Sequence, residues 1–196
     1  MESKLQDVTD ILLNAGPGYD CQVAIVTFGG AQYDKNGALT KNGSHAVMNF
    51  TNDADNAKVH INGLTPLYEN TDYGLGMNAA LELVQGNNGR NTTVVFLSDG
   101  APNKGESDDP TGVSFANSIK AISNPDGTKV QIFGVLHSPT GYKAAKAAMD
   151  AVCTKVFESK DTDSFGKAMN LAFAAVYPDC TVTIPVNETN RLTMLP

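Results

Sequence analysis

Residues 94–103 read Val-Val-Phe-Leu-Ser-Asp-Gly-Ala-Pro-Asn. Four consecutive apolar residues are followed at once by a polar Ser-Asp-Gly turn. A continuous apolar run of this kind is typical of a parallel strand that is buried on both faces of its sheet. Such a strand would bring the carboxylate of Asp99 to the edge of the sheet.

A second polar turn lies upstream, at residues 69–77, which read Glu-Asn-Thr-Asp-Tyr-Gly-Leu-Gly-Met. It opens a predicted helix, and Thr71 stands at the start of that helix. We expect Thr71 and Asp99 to meet at the same edge of the sheet. A hydroxyl and a carboxylate are the hard oxygen ligands that Mg²⁺ prefers in proteins.

Short apolar strands alternate with amphipathic helices along most of the chain. Strands are predicted at residues 22–28, 46–50, 92–97, 130–136 and 155–158, and helices at 3–14, 53–61, 72–84, 113–122, 142–152 and 162–176. The Gly/Asn-rich residues 29–43 predict a long surface loop or a hairpin. The alternation predicts an α/β fold, a doubly wound, mostly parallel sheet with helices on both faces. Ligands of such sheets bind outside the carboxyl ends of the strands.

Length and composition favour a single domain and argue against a nucleic-acid-binding protein or a membrane-spanning protein. The 196 residues suit one domain, assigned to residues 1–178, with 179–196 as a linker or the first strand of a following domain. A net charge of −7 argues against nucleic acid as a partner. The sequence contains no apolar run of about 18 residues, so no membrane span is expected.

Signatures of catalysis are missing from the sequence. It has no Gly-x-Ser-x-Gly elbow, no phosphate-binding loop and no dinucleotide fingerprint, so we expect a protein that is not an enzyme. Cys21, Cys153 and Cys180 lack the spacing of a zinc site. They are interpreted as buried or free thiols, while a Cys153–Cys180 disulfide in an oxidising compartment is left open.

Taken together, these segments resemble the von Willebrand factor A domain over nearly the whole chain. Residues 23–28 resemble the second strand of that family, and residues 69–74 resemble its Gly-Gly-Thr-x-x-Gly turn. Residues 94–103 resemble its fourth strand and Asp-Gly-x-Pro-Asn loop, and residues 161–165 the acidic start of its last helix. The motifs occur in the order that the family shows.

The resemblance implies a metal-ion-dependent adhesion site built from three loops. By position, Thr71 and Asp99 would be metal ligands, with Ser98, Asn103 and Asp72 in supporting roles. The implied cofactor is Mg²⁺ or Mn²⁺, and the implied partner is a protein ligand that offers a carboxylate to the metal.

The Asp-x-Ser-x-Ser motif of the first loop has no match in this sequence. Residues 1–5 resemble the residues that follow the motif in the family, so the first, central strand of the sheet is also expected to be missing. A misassigned start is the favoured explanation, because loss of a central strand leaves backbone groups unpaired. A rearranged fold, with residues 181–186 in that place, is the alternative. In either case the two remaining ligands predict weak or absent Mg²⁺ binding by this chain.

Each candidate residue also has a purely structural interpretation. Thr71 would serve as a helix N-cap, and Asp99 as a strand-end residue that accepts bonds from the next turn. Asp72 is interpreted as a first-turn charge favoured by the helix dipole. Asp108 and Asp109 are interpreted as an exposed, solvated acidic pair.

Two functions follow from the resemblance. The first is a non-enzymatic adhesion module of a cell-surface or secreted protein, such as a bacterial pilus or wall adhesin. Its location would be extracellular, with a signal segment that is not in this chain. The alternative is an intracellular subunit of an ATP-driven metal-insertion or assembly complex, which reduced cysteines would suit.

Overall fold

The computed structural model describes residues 2–14, 20–64, 70–87, 89–103, 108–137, 142–176, 183–185 and 191–193. The helices are α1 (Glu2–Leu13), α2 (Ala54–Asn62), α3 (Tyr73–Gly86), α4 (Val113–Ala121), α5 (Tyr142–Val152) and α6 (Thr162–Val176). The strands are β1 (Val23–Gly29), β2 (Gln32–Tyr33), β3 (Leu39–Lys41), β4 (Ser44–Thr51), β5 (Thr93–Ser98), β6 (Gln131–His137), β7 (Lys155–Ser159), β8 (Thr183–Pro185) and β9 (Arg191–Thr193).

Strands β5, β6 and β7 form a parallel sheet in that order. Thr93 lies opposite Gln131, and Phe133 lies opposite Lys155. The crossovers are α4 between the first two strands and α5 between the last two, because parallel neighbours cannot be joined by a tight turn. The predicted α/β class is confirmed, and the run at residues 94–97 lies within a strand as expected.

The middle strand, β6, is buried on both faces, with residues 132–136 all buried. Ile132 and Leu136 pack into a core with α3, α4 and α5. Phe133 and Val135 alternate with them and pack against α6. This alternation follows from the period of two along a strand, and it places helices on both faces of the parallel sheet.

The first part of the chain forms a separate antiparallel pair, β1 with β4. The prediction of a mostly parallel sheet is wrong for this pair. The connection between the two strands contains the β2–β3 hairpin and no crossover helix, and without a crossover two successive strands pair antiparallel. The hairpin alternative for residues 29–43 is thus confirmed. Helices α1 and α2 pack against this pair around Ile25, Met48 and Ile61.

Strands β8 and β9 pair with each other near the carboxyl end, with Ile184 opposite Leu192. Thr183–Pro185 lies within residues 181–186, the segment that the rearranged-fold alternative invokes.

Helix α3 joins the two sheets, since it packs on both β1 and the core of the parallel sheet. The Phe28 ring of β1 stacks on the Phe96 ring of β5, with ring centroids 5.4 Å apart. Tyr73, at the start of α3, lies edge-on to Phe96 with centroids 4.8 Å apart. The helix approaches β1 closely at Gly76, where a Cβ atom would lie 2.6 Å from Cδ1 of Phe28.

We therefore expect Gly76→Ala to lower the free energy of unfolding by about 1–3 kcal/mol, since the added methyl would overpack this contact. Denaturant unfolding measures the change. The matched control is Gly86→Ala in the same helix, where a Cβ atom would meet nothing within 4 Å. That variant should be unchanged or slightly more stable. Equal stability of the two variants would contradict the close approach of α3 to β1.

Candidate functional site

The loop before α3 and the loop after β5 are joined by reciprocal hydrogen bonds between Thr71 and Asn103. The backbone N–H of Thr71 donates to Oδ1 of Asn103 at 2.8 Å. The backbone N–H of Asn103 donates to the carbonyl of Thr71 at 3.0 Å. Asp99 is exposed and lies four residues before Asn103 in the same loop. The predicted ligand loops therefore meet beyond the carboxyl end of β5.

Asn70 joins the loop that follows β1 to the loop that precedes α3. The carbonyl of Asn70 accepts a hydrogen bond from the N–H of Gly30, and its side-chain amide donates to the carbonyl of Ala31. Three connections, after β1, before α3 and after β5, are thus fixed to one another by bonds that involve the backbone. Sequence reasoning missed Asn70, because its partners lie about forty residues away along the chain.

Asp72, not Thr71, is the N-cap of α3. Its side chain is fully buried, and its backbone is extended, as in most N-caps. Oδ1 of Asp72 accepts hydrogen bonds from the N–H groups of Gly74 at 2.9 Å and Leu75 at 3.3 Å. The interpretations of Thr71 as the cap and of Asp72 as a first-turn charge are therefore wrong. The Thr71 hydroxyl is not used to cap the helix.

Tyr73 connects the start of α3 to the turn that carries Asp99. Its hydroxyl donates to the carbonyl of Gly100 and lies 3.2 Å from Oγ of Ser98. Burial raises the pKa of Tyr73 to about 12, although the bond to Ser98 opposes that shift. The phenol therefore stays protonated at neutral pH and remains a donor. Ser98 also donates to the carbonyl of Gly100 at 2.9 Å, so it organises the turn beneath Asp99.

Asp109 fixes the later part of the loop between β5 and α4. It accepts hydrogen bonds from the hydroxyl of Thr111 at 2.5 Å and from the N–H and hydroxyl of Ser114 at 2.7 and 2.8 Å. Asp108 is exposed as predicted, but the interpretation of Asp109 as a solvated charge is wrong. The N-cap position of α4 is Gly112, which has no side chain, so Asp109 takes over the capping bonds.

The neighbouring Pro110 ties this loop to α3, because its carbonyl accepts the N–H of Tyr73 at 3.1 Å. Burial by itself would raise the pKa of Asp109. The hydrogen bonds from Thr111 and Ser114 outweigh burial and hold that pKa below its ordinary value. Asp109 is therefore ionised at neutral pH and unavailable as a ready proton donor.

The donor atoms at this edge suit a hard cation but are few. Thr71 is half-buried and Asp99 exposed, and together they offer one hydroxyl and one carboxylate. Within the described part of the chain, no group of three or more His, Cys, Asp or Glu side chains could hold a metal ion. Mg²⁺ takes about six oxygen ligands, so water or a partner would have to supply most of its coordination shell.

Two potential nucleophiles lie elsewhere and are buried. Oγ of Ser159 lies 2.8 Å from Nδ1 of His137, at the ends of β7 and β6, but Ser159 is only 1% exposed. Cys153 is a free thiol packed in the core, and burial raises its pKa to about 12. Neither group is presented to a substrate. Cys21 is a half-buried thiol, and Cys180 lies outside the described residues.

Comparison with known proteins identifies no family. No family model matches the chain, and no curated protein matches it. It is similar to the crystal structure of an uncharacterized membrane-spanning protein from Vibrio fischeri, with a TM-score of 0.30 and 14% identity, over 90% of this chain and 85% of that one. A likeness this low carries no argument about fold or function. Among the described helices of this chain, none is long and apolar enough to cross a membrane.

The capping role of Asp109 predicts a pH-dependent effect of Asp109→Asn. The variant should be less stable at pH 7 by about 1 kcal/mol, the usual difference between hydrogen bonds to a charged and to a neutral acceptor. A carboxyl whose pKa is lowered by folding stabilises the fold above its unfolded pKa, and the contribution is lost as pH falls through the folded pKa. The deficit should therefore disappear below about pH 4.

Urea unfolding of the unchanged chain and of Asp109→Asn, between pH 7 and pH 3, measures the difference in their free energies of unfolding. Asp108→Asn removes the adjacent, exposed carboxylate and serves as the matched control, with little change expected at any pH. A deficit of Asp109→Asn that is independent of pH would contradict the capping role of the ionised carboxylate.

Proposed function

We propose that this chain is a non-enzymatic, metal-dependent protein-binding module of a cell-surface or secreted protein, built on the doubly wound arrangement of the von Willebrand factor A family. The observation that supports this best is the pair of reciprocal hydrogen bonds between Thr71 and Asn103. These bonds hold the loop of Thr71 against the loop of Asp99. The resemblance assigns metal ligands to the same two loops.

In this proposal Mg²⁺ or Mn²⁺ binds the hydroxyl of Thr71 and the carboxylate of Asp99. The bound ion would supply a coordination position for a carboxylate of the partner protein. Asn103 holds the backbone of Thr71, Asp72 caps the helix that follows, and Ser98 shapes the turn beneath Asp99. The net charge of −7 favours the approach of cations.

The site of this chain is incomplete in the proposal, because Thr71 and Asp99 supply only one hydroxyl and one carboxylate. Affinity for oxygen-liganded cations rises with the number and charge of the ligands and with the rigidity of the site. We therefore place the dissociation constant for Mg²⁺ on the order of 1 mM or weaker.

Burial of Ser159 and Cys153 argues against catalysis by these two side chains. A substrate would have to reach Ser159 or Cys153 through the packed core. The buried thiol of Cys153 would also stay reduced in an oxidising or a reducing compartment, since thiolates react and its pKa is high. This free cysteine therefore does not favour the intracellular alternative.

A test of the metal proposal uses Mn²⁺ as a paramagnetic probe in NMR spectra of the full chain. Millimolar Mn²⁺ should broaden the amide signals of residues 70–72 and 98–103 before all others, because broadening falls steeply with distance from the ion. Mg²⁺ in excess should reverse the effect by competition. Asp99→Asn should abolish the selective broadening.

Asp108→Asn, which removes a carboxylate from the same loop, is the matched control and should keep the broadening at Thr71. Broadening centred elsewhere, or broadening that survives Asp99→Asn, would refute a cation site at this edge.

A further inference from the structure

Strand β4 forms one outer edge of the fold. Among the described strands it pairs only with β1, so no strand in that part of the chain binds its other edge. Such an edge carries a row of backbone donors and acceptors that a further strand could bind. The first strand that the sequence resemblance expects is central and would lie beyond β1, away from β4. The outer edge of β4 is therefore separate from the place of that strand.

Outer strands usually carry features that prevent pairing with other chains, such as charged side chains, proline or a short length. Strand β7, at the outer edge of the parallel sheet, follows this pattern, because it has five residues and exposes Lys155 and Glu158. Strand β4 has eight residues and contains no Asp, Glu, Lys, Arg or Pro. Of these two outer edges, β4 is therefore the one that is open to pairing.

The accessible part of β4 is regular and has an aliphatic residue at its centre. Residues 44–48 pair with β1 residue by residue, and the shift in register lies beyond Met48. His45, Ala46 and Val47 are all exposed, and Val47 is 41% exposed although it is aliphatic. The neighbouring helices therefore leave this part of the strand accessible to a partner.

The charges that flank β4 are opposite in sign at its two ends. Lys41, the last residue of β3, precedes the strand and Asp53 follows it, and both are exposed. When two copies of β4 pair antiparallel with Val47 opposite Val47, Lys41 of each copy comes beside Asp53 of the other. A parallel pair would instead bring each charge next to its like. The charge pattern therefore favours a second copy, related by two-fold symmetry, as the occupant of this edge.

We propose that two copies of this chain pair through β4 in an antiparallel dimer with Val47 at the two-fold axis. The pairing joins the β1–β4 sheets of the two copies into one four-stranded sheet and buries Val47 against its own copy. Only one strand edge of each copy is covered, which suggests an interface below about 1,200 Å², in the weak class of protein contacts. We expect a dissociation constant on the order of 0.1 mM.

Oxidation of Val47→Cys tests the symmetry of the dimer. Opposite residues of an antiparallel pair have Cα atoms about 4.5–5.5 Å apart, which a disulfide can span. The variant should form a 47–47 disulfide, identified by mass spectrometry as a peptide linked to its own copy. This product can arise only between two chains, so it separates a second copy from any other segment of the same chain.

The matched control for crosslinking is Val59→Cys, on α2, where the residue is 71% exposed. Because position 59 lies outside the pairing strand, this variant should give at least about tenfold less disulfide-linked dimer. The unchanged chain, oxidised in the same way, gives the background from its own cysteines.

Sedimentation equilibrium without crosslinking tests strand pairing and register. The unchanged chain should be mostly dimer at about 0.5 mM. Val47→Lys places two ammonium groups opposite each other and should weaken the dimer at least about tenfold, whereas Val59→Lys should have no effect. Lys41→Glu should weaken it about threefold by repulsion from Asp53. Lys35→Glu makes the same change of charge at the tip of the β2–β3 hairpin and should leave the dimer unchanged.

A chain that stays monomeric up to about 1 mM would overturn the proposal. Disulfides of residue 47 to other positions only, or unchanged dimerisation of Val47→Lys, would overturn it as well. Equal effects of Lys41→Glu and Lys35→Glu would contradict the antiparallel register, and this pair of variants still decides if Val47→Lys fails to fold. EDTA should leave the dimer unchanged, so this test is independent of the proposed cation site.

Discussion

The contact of Phe28, Phe96 and Tyr73 holds the two sheets of this structure together. Among the described strands, pairing stops at β1 on one side and at β5 on the other, so the two halves are joined by side-chain packing and by the hydrogen bonds of the loops. Aromatic pairs of this kind contribute about 0.5–1.5 kcal/mol each beyond the area that they bury. Helix α3 provides the platform, because Gly76 allows it to lie against the Phe28 ring.

The same helix determines the geometry of the candidate site. The Asp72 cap fixes the first turn of α3, and the next residue, Tyr73, reaches the turn after β5. Thr71 precedes the cap and is held by Asn103. The contact that joins the two sheets thus also brings the two loops of the proposed cation site together. A substitution that weakened the packing of α3 would therefore disturb both the contact between the two sheets and the proposed cation site.

Local patterns predicted the elements well but not their long-range pairing. The sequence predicted the strand at residues 94–97 and the helix after Thr71, since burial imposes a characteristic periodicity on each. The antiparallel pairing of β1 with β4 could not, because it depends on a short hairpin within an irregular glycine-rich segment. Thr71 and Asp72 are both good N-cap residues, so sequence alone could not choose between them.

Other parts of the site depend on contacts between distant residues. The partners of Tyr73 lie about 25 residues away, and Asp109 acts as a cap only because Gly112 has no side chain. A capping search that extends beyond the position next to the helix could have found Asp109. No comparable signal pointed to Asn70. The loop contacts of the site are therefore visible only in the folded structure.

Amide hydrogen exchange of the chain alone, measured residue by residue by NMR, tests the division of the sheet most directly. A strand with one hydrogen-bonded neighbour protects only alternate amides, whereas a strand with two neighbours protects nearly all of them. We therefore predict alternating slow and fast exchange along Thr93–Ser98 and Val23–Gly29, and uniformly slow exchange along Gln131–His137. Uniform protection of β5, equal to that of β6, would contradict the account.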